Sequence, residues 1–269
     1  MTLLHLLSDV HTEWSGFKPE DKPWDKETIL LLAGDVGVAK KPRGLKAFMD
    51  SVSPQFRHVF YIPGNHEYYG GGSLVSTDDK LEKLCEEYQN VTYLNNKTVE
   101  MDGVCFIGTT LWTDFAGHLK DNDTGATKLN ALLYMNDYSN IRTGTQTEPY
   151  RRKAAPNDME VLNLQARTFL ENALQKACDD GLKKVVLTHH APLHTQMKEH
   201  DELWPCYYNT GLEYLFERYH PDVWAHGHTH KHVDAMVNNT RLLCNTRDYN
   251  TYENTSNPYT YKRDLLVKI

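Results

Sequence analysis

Continuous apolar runs, each broken by a short polar cluster, set the rhythm of the first third of this chain. Leu3 to Leu7 ends at Ser8-Asp9, Thr28 to Ala33 ends at Gly34-Asp35, and Val59 to Ile62 leads into Pro63-Gly64-Asn65. Runs of Leu, Ile and Val without alternation predict strands buried on both faces. Pro42 to Val52 and Asp79 to Tyr88 carry helical spacing, the second with Asp79 and Glu82 placed as a capping box. Gly70-Gly71-Gly72-Ser73 between them reads as a flexible stretch. Val91 to Leu94 predicts a further strand. Val99 to Met101 and Val104 to Ile107 flank Asp102-Gly103, which predicts a β-hairpin closed by a type I′ turn.

The periodicity then fades. Residues 112 to 156 are rich in Asp, Asn, Thr and Tyr and read as an irregular insertion near the mouth of a site, with a short helix around Lys128 to Tyr134. Asn157 to Asp180 is a long helix by spacing, capped by Asn157 with Glu160 behind it and closed by Gly181. Lys183-Lys184 open the strand Val185 to Leu187, Gly211 to Tyr219 predicts a helix stopped by Pro221, and Val223 to Ala225 predicts another strand. Val233 to Val237 and Arg241 to Cys244 join through Asn238-Asn239 as a second hairpin. Strands alternating with helices in both halves, plus hairpins, point to an α/β fold.

Composition adds little but excludes some classes. A hydrophobic fraction of 40% and a charged fraction of 24% are ordinary for a globular chain. The net charge of −7 gives no basic footprint for strong non-specific nucleic-acid binding. No apolar run reaches membrane-spanning length. Cys85, Cys105, Cys178, Cys206 and Cys244 are scattered, without a C-x-x-C pair, and read as free thiols of a reducing compartment. The strand that delivers Asp9 leaves no room for a cleavable signal peptide, so a cytoplasmic location is expected.

The chemistry sits where the apolar runs stop. Asp9-Val10-His11, Gly34-Asp35, Gly64-Asn65-His66-Glu67, His189-His190 and Gly227-His228-Thr229-His230 each follow a strand-like run. Carboxylate, amide and imidazole groups gathered at strand ends are the ligands that borderline divalent metals prefer, and there are enough of them for two ions sharing a bridge. Asp9 and His11, like His228 and His230, are two residues apart. In an extended segment such residues face the same side, so each pair would point at the ions together.

The order D-x-H, G-D, G-N-H-[DE], H, G-H-x-H from Asp9 to His230 resembles the calcineurin-like metallophosphoesterase superfamily. That resemblance implies a single domain over residues 1–269, built as a four-layer α/β/β/α sandwich of two mixed β-sheets flanked by helices. It implies one ion held by Asp9, His11, Asp35 and His230, and a second held by Asp35, Asn65, His189 and His228, with Asp35 bridging. It implies a metal-dependent phosphoesterase in which a metal-bound hydroxide attacks phosphorus directly. The ions would be two divalent cations, manganese first among iron, zinc and nickel. His66 would stabilise the transition state or protonate the leaving group, a task suited to an imidazole; Glu67 either orients it or is a solvated or structurally paired carboxylate. His189 rather than His190 takes the metal position by the family's H-H-[AP]-P pattern.

Substrate contacts are expected from His190, Arg247 and Arg142, and nucleobase stacking is a further option for Trp204, Tyr207 and Tyr208. Gly34-Asp35 continues as Val36-Gly37-Val38-Ala39-Lys40 and lacks the Asp-Arg pair of protein serine/threonine phosphatases. Val38 stands where purple acid phosphatases need a tyrosine. A small phosphoester or nucleotide substrate is therefore expected. The alternatives are a catalytically silent metal-binding scaffold or protein-interaction module on the same fold, or a nuclease. The acidic balance counts against the last.

Overall fold

The apolar runs at the start of the chain form strands, and their burial on both faces is nearly complete. In the computed structural model, which describes residues 1–116, 124–194, 203–247 and 261–269, the chain opens with Leu3–Leu7 (β1) and Thr28–Ala33 (β2). Arg43–Val52 (α1), His58–Ile62 (β3), Thr77–Cys85 (α2) and Val91–Tyr93 (β4) follow. The four strands run parallel in the order β1-β2-β3-β4. Every residue of β2 is buried, which explains why this strand has no polar alternation.

α2 begins at Thr77, not at the expected Asp79 and Glu82 capping box. The Ser73 N–H donates to Thr77 Oγ1 instead, at 3.1 Å. Lys97–Met101 (β5) and Val104–Thr109 (β6) form the expected hairpin, and Asp102 and Gly103 have φ of 54° and 75°, the left-handed pair that a type I′ turn requires.

The insertion is better ordered than its composition predicts. It contains Thr124–Tyr134 (α3), Asp137–Asn140 (α4) and a hairpin of Arg142–Thr143 (β7) with Arg152–Lys153 (β8). Tyr68, Trp112, Phe115, Tyr138, Ile141 and Met159 gather into a separate apolar cluster beneath it. These contacts are between residues far apart in the chain, so no local periodicity announces them. Residues 117–123 of the expected insertion lie outside the described residues.

Pro156–Asp179 (α5) is the long helix. Its cap is Ala155 rather than Asn157: the Ala155 N–H donates to Asp158 Oδ2 at 2.8 Å, and Pro156 fills the first helical position. Glu160 instead pairs with Lys128 of α3 at 2.8 Å. Lys183–Thr188 (β9), Glu213–Tyr219 (α6), Val223–His226 (β10), Val233–Val237 (β11), Thr240–Cys244 (β12) and Val267–Lys268 (β13) complete the described elements.

Two mixed sheets result. The first has the order β13-β1-β2-β3-β4, with β13 antiparallel to β1; the second has the order β11-β12-β10-β9-β6-β5, parallel at its centre and antiparallel at both edges. Leu4, Leu6, Ile29, Leu31, Phe60 and Ile62 of one sheet meet Phe106, Val185, Leu187, Val223, Ala225 and Leu243 of the other. α1 and α2 cover the outer face of the first sheet, and α5 and α6 cover that of the second. This is the α/β/β/α sandwich. β1, β2, β3, β9 and β10 all run parallel to a neighbour, and their carboxyl ends are where open α/β sheets place their ligands.

Candidate metal centre

The loop after β1 runs beside the loop after β2, because backbone pairing continues past the strands. Asp9 N–H donates to the Gly34 carbonyl at 3.0 Å and His11 N–H to the Asp35 carbonyl at 2.9 Å. To do so the chain turns sharply: Asp9, His11 and Asp35 have φ of 53°, 50° and 53°, and His228 and His230 have φ of 65° and 51°. Left-handed backbone at non-glycine residues is uncommon and costs of order 1–3 kcal/mol each, so five such positions at one site mark a geometry that the surrounding fold enforces. The two-residue spacing thus brings each pair together through tight turns, not through the extended backbone expected from sequence.

Among the described residues three groups of ligand atoms form, each with all atoms within 4.8 Å of one another; one is His11, Glu13 and His66, and the other two share Asp35. Of those two, the first holds Asp9, His11, Asp35 and His230; the second holds Asp35, His189 and His228. His230 Nε2 lies 3.3 Å from Asp9 Oδ1, and His11 Nε2 lies 3.9 Å from Asp35 Oδ2. On the other side His189 Nε2 lies 3.4 Å from Asp35 Oδ1. Asp35 thus turns one oxygen to each group. Asn65 Oδ1 joins the second group, 3.0 Å from His189 Nε2. All seven residues expected as ligands are brought together.

The donors fit divalent cations. His189 Nδ1–H donates to the Ala33 carbonyl at 2.8 Å and His11 Nδ1–H donates to Glu13 Oε1 at 3.2 Å, which leaves Nε2 of each facing inward. His228 Nδ1 lies 3.2 Å from His189 Nε2, so these two ring nitrogens stand side by side in the second group. Burial would raise the carboxyls of Asp9 and Asp35. Their histidine neighbours outweigh it, His230 holding Asp9 at about 2 and His189 holding Asp35 well below the usual range. Burial lowers His189 in turn, but Asp35 and Asp9 push it up to about 9. Two fixed anions that draw a proton onto a buried imidazole are a site that seeks positive charge.

Glycine permits the crowding. A Cβ on Gly34, whose φ is 85°, would stand 2.4 Å from His189 Nδ1, and one on Gly64 would stand 2.2 Å from Asp35 Oδ1.

Glu67 does not orient His66. Its fully buried carboxylate accepts from the backbone N–H groups of Asp35, Val36 and Gly64 and from Tyr61 Oη, at 2.6 to 3.0 Å. It therefore braces the Gly34-Asp35 turn; burial and the Asp35 charge push it up to about 7. The residue that holds His66 is Glu13, whose Oε1 accepts from His66 Nδ1 at 2.8 Å. Tyr69 stacks on the His66 ring at 4.1 Å. Its hydroxyl accepts from Asn65 Nδ2 at 3.3 Å and donates to Asp137 Oδ2 at 3.4 Å. Sequence reading missed Glu13, Tyr69 and Asp137. Glu13 stands two residues beyond His11, the spacing that marks the ligand pairs, and that was the available signal.

The expected substrate residues are spread around this cluster. His190 is buried against His228, ring centroids 4.1 Å apart, with Nδ1 unpartnered. Burial, aided by the charge of His189, lowers it to about 3 and keeps it neutral. Arg247 donates from Nη1 to the Val10 carbonyl at 2.7 Å and from Nη2 to Ser15 Oγ at 2.9 Å, so its fork holds the loop after β1. Arg142 opens β7, its N–H bonded to the Gly72 carbonyl and its carbonyl to the Leu74 N–H. Tyr207 is half-buried against His228, whereas Tyr208 is 2% exposed and packs on His194. The Trp204 side chain lies outside the described residues.

A family profile described as "Calcineurin-like phosphoesterase" matches residues 3–232, which contain the whole ligand set. The chain belongs to the calcineurin-like phosphoesterase family. Uncharacterized protein L509 of Acanthamoeba polyphaga mimivirus is 28% identical over 286 residues, covering 97% of this chain and 96% of its own length. Among solved structures, phosphopantetheinyl hydrolase (PptH) from Mycobacterium tuberculosis superposes with a TM-score of 0.68 at 18% identity, over 91% of this chain and 89% of that one. TT1561 of Thermus thermophilus gives a TM-score of 0.50 at 12% identity, over 91% and 89%. At these identities the structural likeness speaks for the calcineurin-like fold alone. Membership and the clustered ligands together make this a metal-dependent phosphoesterase in the general sense.

Proposed function

We propose that this chain is a single-domain phosphoesterase working with two divalent cations, manganese foremost, on a small phosphoester or nucleotide. One observation carries the reading: two groups of ligand atoms share Asp35, one oxygen facing each. When bound, such a pair of cations activates water and offsets charge on the phosphoryl oxygens. The residues supply the rest. Asp9, His11, Asp35 and His230 would hold one cation, and Asp35, Asn65, His189 and His228 the other.

His66 is held at Nδ1 by Glu13 and is read as the proton donor of the reaction. Burial opposes charging of His66, but Asp35 and Glu13 outweigh it and raise its pKa, so it can carry a proton near neutral pH. As the oxygen of a water forms the new bond to phosphorus and gives up a proton to solvent, the bond to the leaving oxygen breaks, that oxygen takes the His66 proton, and His66 regains one from solvent. His190 and Arg142 are kept as substrate contacts; Arg247 acts by holding the loop that carries Glu13.

The five cysteines are all free thiols, which supports a reducing compartment such as the cytoplasm. Among the described residues no helix is long and apolar enough to cross a membrane. The deciding experiment is hydrolysis of a nitrophenyl monoester and a bis-nitrophenyl diester by manganese-loaded protein. Turnover abolished by chelator is the expected outcome. A fully loaded protein inert to both would favour a metal-binding scaffold.

A further inference from the structure

α3 exposes the side chains that a helix ordinarily buries. Its buried residues are Thr127 and Ala131, and Ala131 is its contribution to the apolar cluster beneath the insertion. Leu129, Leu132 and Leu133 face outward, and so do Val161 and Leu164 of α5, all between 50% and 66% exposed. The two stripes adjoin, because Lys128 Nζ donates to both carboxylate oxygens of Glu160 at 2.8 Å, one residue from Leu129 and one from Val161. Single exposed leucines are ordinary on a monomer, but an amphipathic helix that packs only on its own core turns its large side chains inward. Together the five present on the order of 500 Å² of apolar surface, the upper end of what a monomer leaves open in one patch.

The charges around the patch are settled within the chain. α3 and the stretch of α5 from Pro156 to Thr168 carry Lys128, Asp158, Glu160 and Arg167. Lys128 pairs with Glu160, Asp158 with Arg152 at 2.7 Å, and Arg167 with Asp114 at 2.5 Å. We propose that this face of α3 and α5 is the interface between two copies of this chain, related by a two-fold axis. Unpaired charges are what steer and select a foreign partner, and a lipid-binding face carries Lys and Arg for anionic headgroups; this face offers neither. A neutral apolar patch is complementary to itself, which is what a two-fold contact requires. A homodimer interface of standard size takes about 800 Å² from each partner, about 65% of it apolar, and the patch supplies that share. The inference is independent of the phosphoesterase reading.

Sedimentation velocity of the full chain at micromolar concentration tests it, and wild type should sediment with twice the mass of one chain. Leu133→Glu and Leu164→Glu each put a charge into the apolar contact on both copies. Each should weaken self-association roughly thirtyfold or more, the loss that marks an interface hot spot, while circular dichroism matches wild type. Met236→Glu changes an equally exposed side chain on the edge strand β11 and should leave the mass of the dimer in place. A monomeric wild type overturns the proposal, and one that floats with phosphatidylcholine vesicles gives the face to a lipid surface instead. A dimer that survives both leucine substitutions, or that Met236→Glu also dissolves, places the contact elsewhere and overturns it as well.

Discussion

His66 and Asn65 are adjacent in the chain and face different tasks. Asn65 Oδ1 points at the second ligand group, whereas His66 Nδ1 is taken by Glu13. Replacing His66 by Ala should lower turnover by roughly 10²–10⁴-fold, the usual worth of a positioned acid or base, while elemental analysis finds the metal content unchanged. Glu13→Gln should cost less, because the amide oxygen still accepts from Nδ1, and the loss should fall on kcat. Loss of metal in His66→Ala would instead make His66 a ligand. The gathering of these candidate ligands was legible in the sequence, because each ends an apolar run and the five blocks keep a family order. Glu13 was less so: its two-residue spacing from His11 was the one signal, and its partner His66 lies far along the chain. Glu67 stayed open between orienting His66 and structural pairing for the same reason: adjacency to His66 said nothing of the four backbone N–H groups waiting for its carboxylate.

At the level of elements, strand ends deliver the chemistry and the insertion trims it. β1, β2, β3, β9 and β10 were readable because strands buried on both faces must be apolar throughout. β7, β8 and β13 have two residues each and carry no pattern at all. The insertion was read as irregular, yet α4 brings Asp137 to within hydrogen-bonding range of Tyr69, which in turn holds the Asn65 amide. An amide turned the wrong way would offer nitrogen to a cation. Asp137→Ala should therefore weaken the second metal position by about tenfold or more, the usual cost of losing a supporting hydrogen bond to a metal ligand, and spare the first. Calorimetric titration with manganese resolves the two steps; equal affinities in variant and wild type would disconnect the insertion from the site.

Across the whole molecule, the far end of the chain is tied back to its beginning. β13 pairs with β1, and His5, buried within β1, donates from one ring nitrogen to the Leu265 carbonyl at 2.8 Å and bonds the Tyr261 hydroxyl at 2.6 Å with the other. Burial, with the Arg263 charge adding to it, lowers His5 from 6.5 to about 4. The unfolded chain therefore binds this proton between those values while the folded chain does not. Stability from a neutral His5 is complete above pH 6.5 and is lost as pH falls towards 4, by up to about 3 kcal/mol. Urea unfolding in the presence of chelator should show wild type losing more stability than His5→Asn between pH 7 and pH 4.5; parallel losses would contradict it.

The shared Asp35 carboxylate is the centre of the account, and electron paramagnetic resonance of the protein titrated with manganese tests it directly. Two equivalents of manganese should give the multiline spectrum of an exchange-coupled pair, and Asp35→Asn should reduce it to the lines of isolated ions. A wild-type protein that saturates at one manganese, or shows only uncoupled ions at two, would contradict the bridged centre.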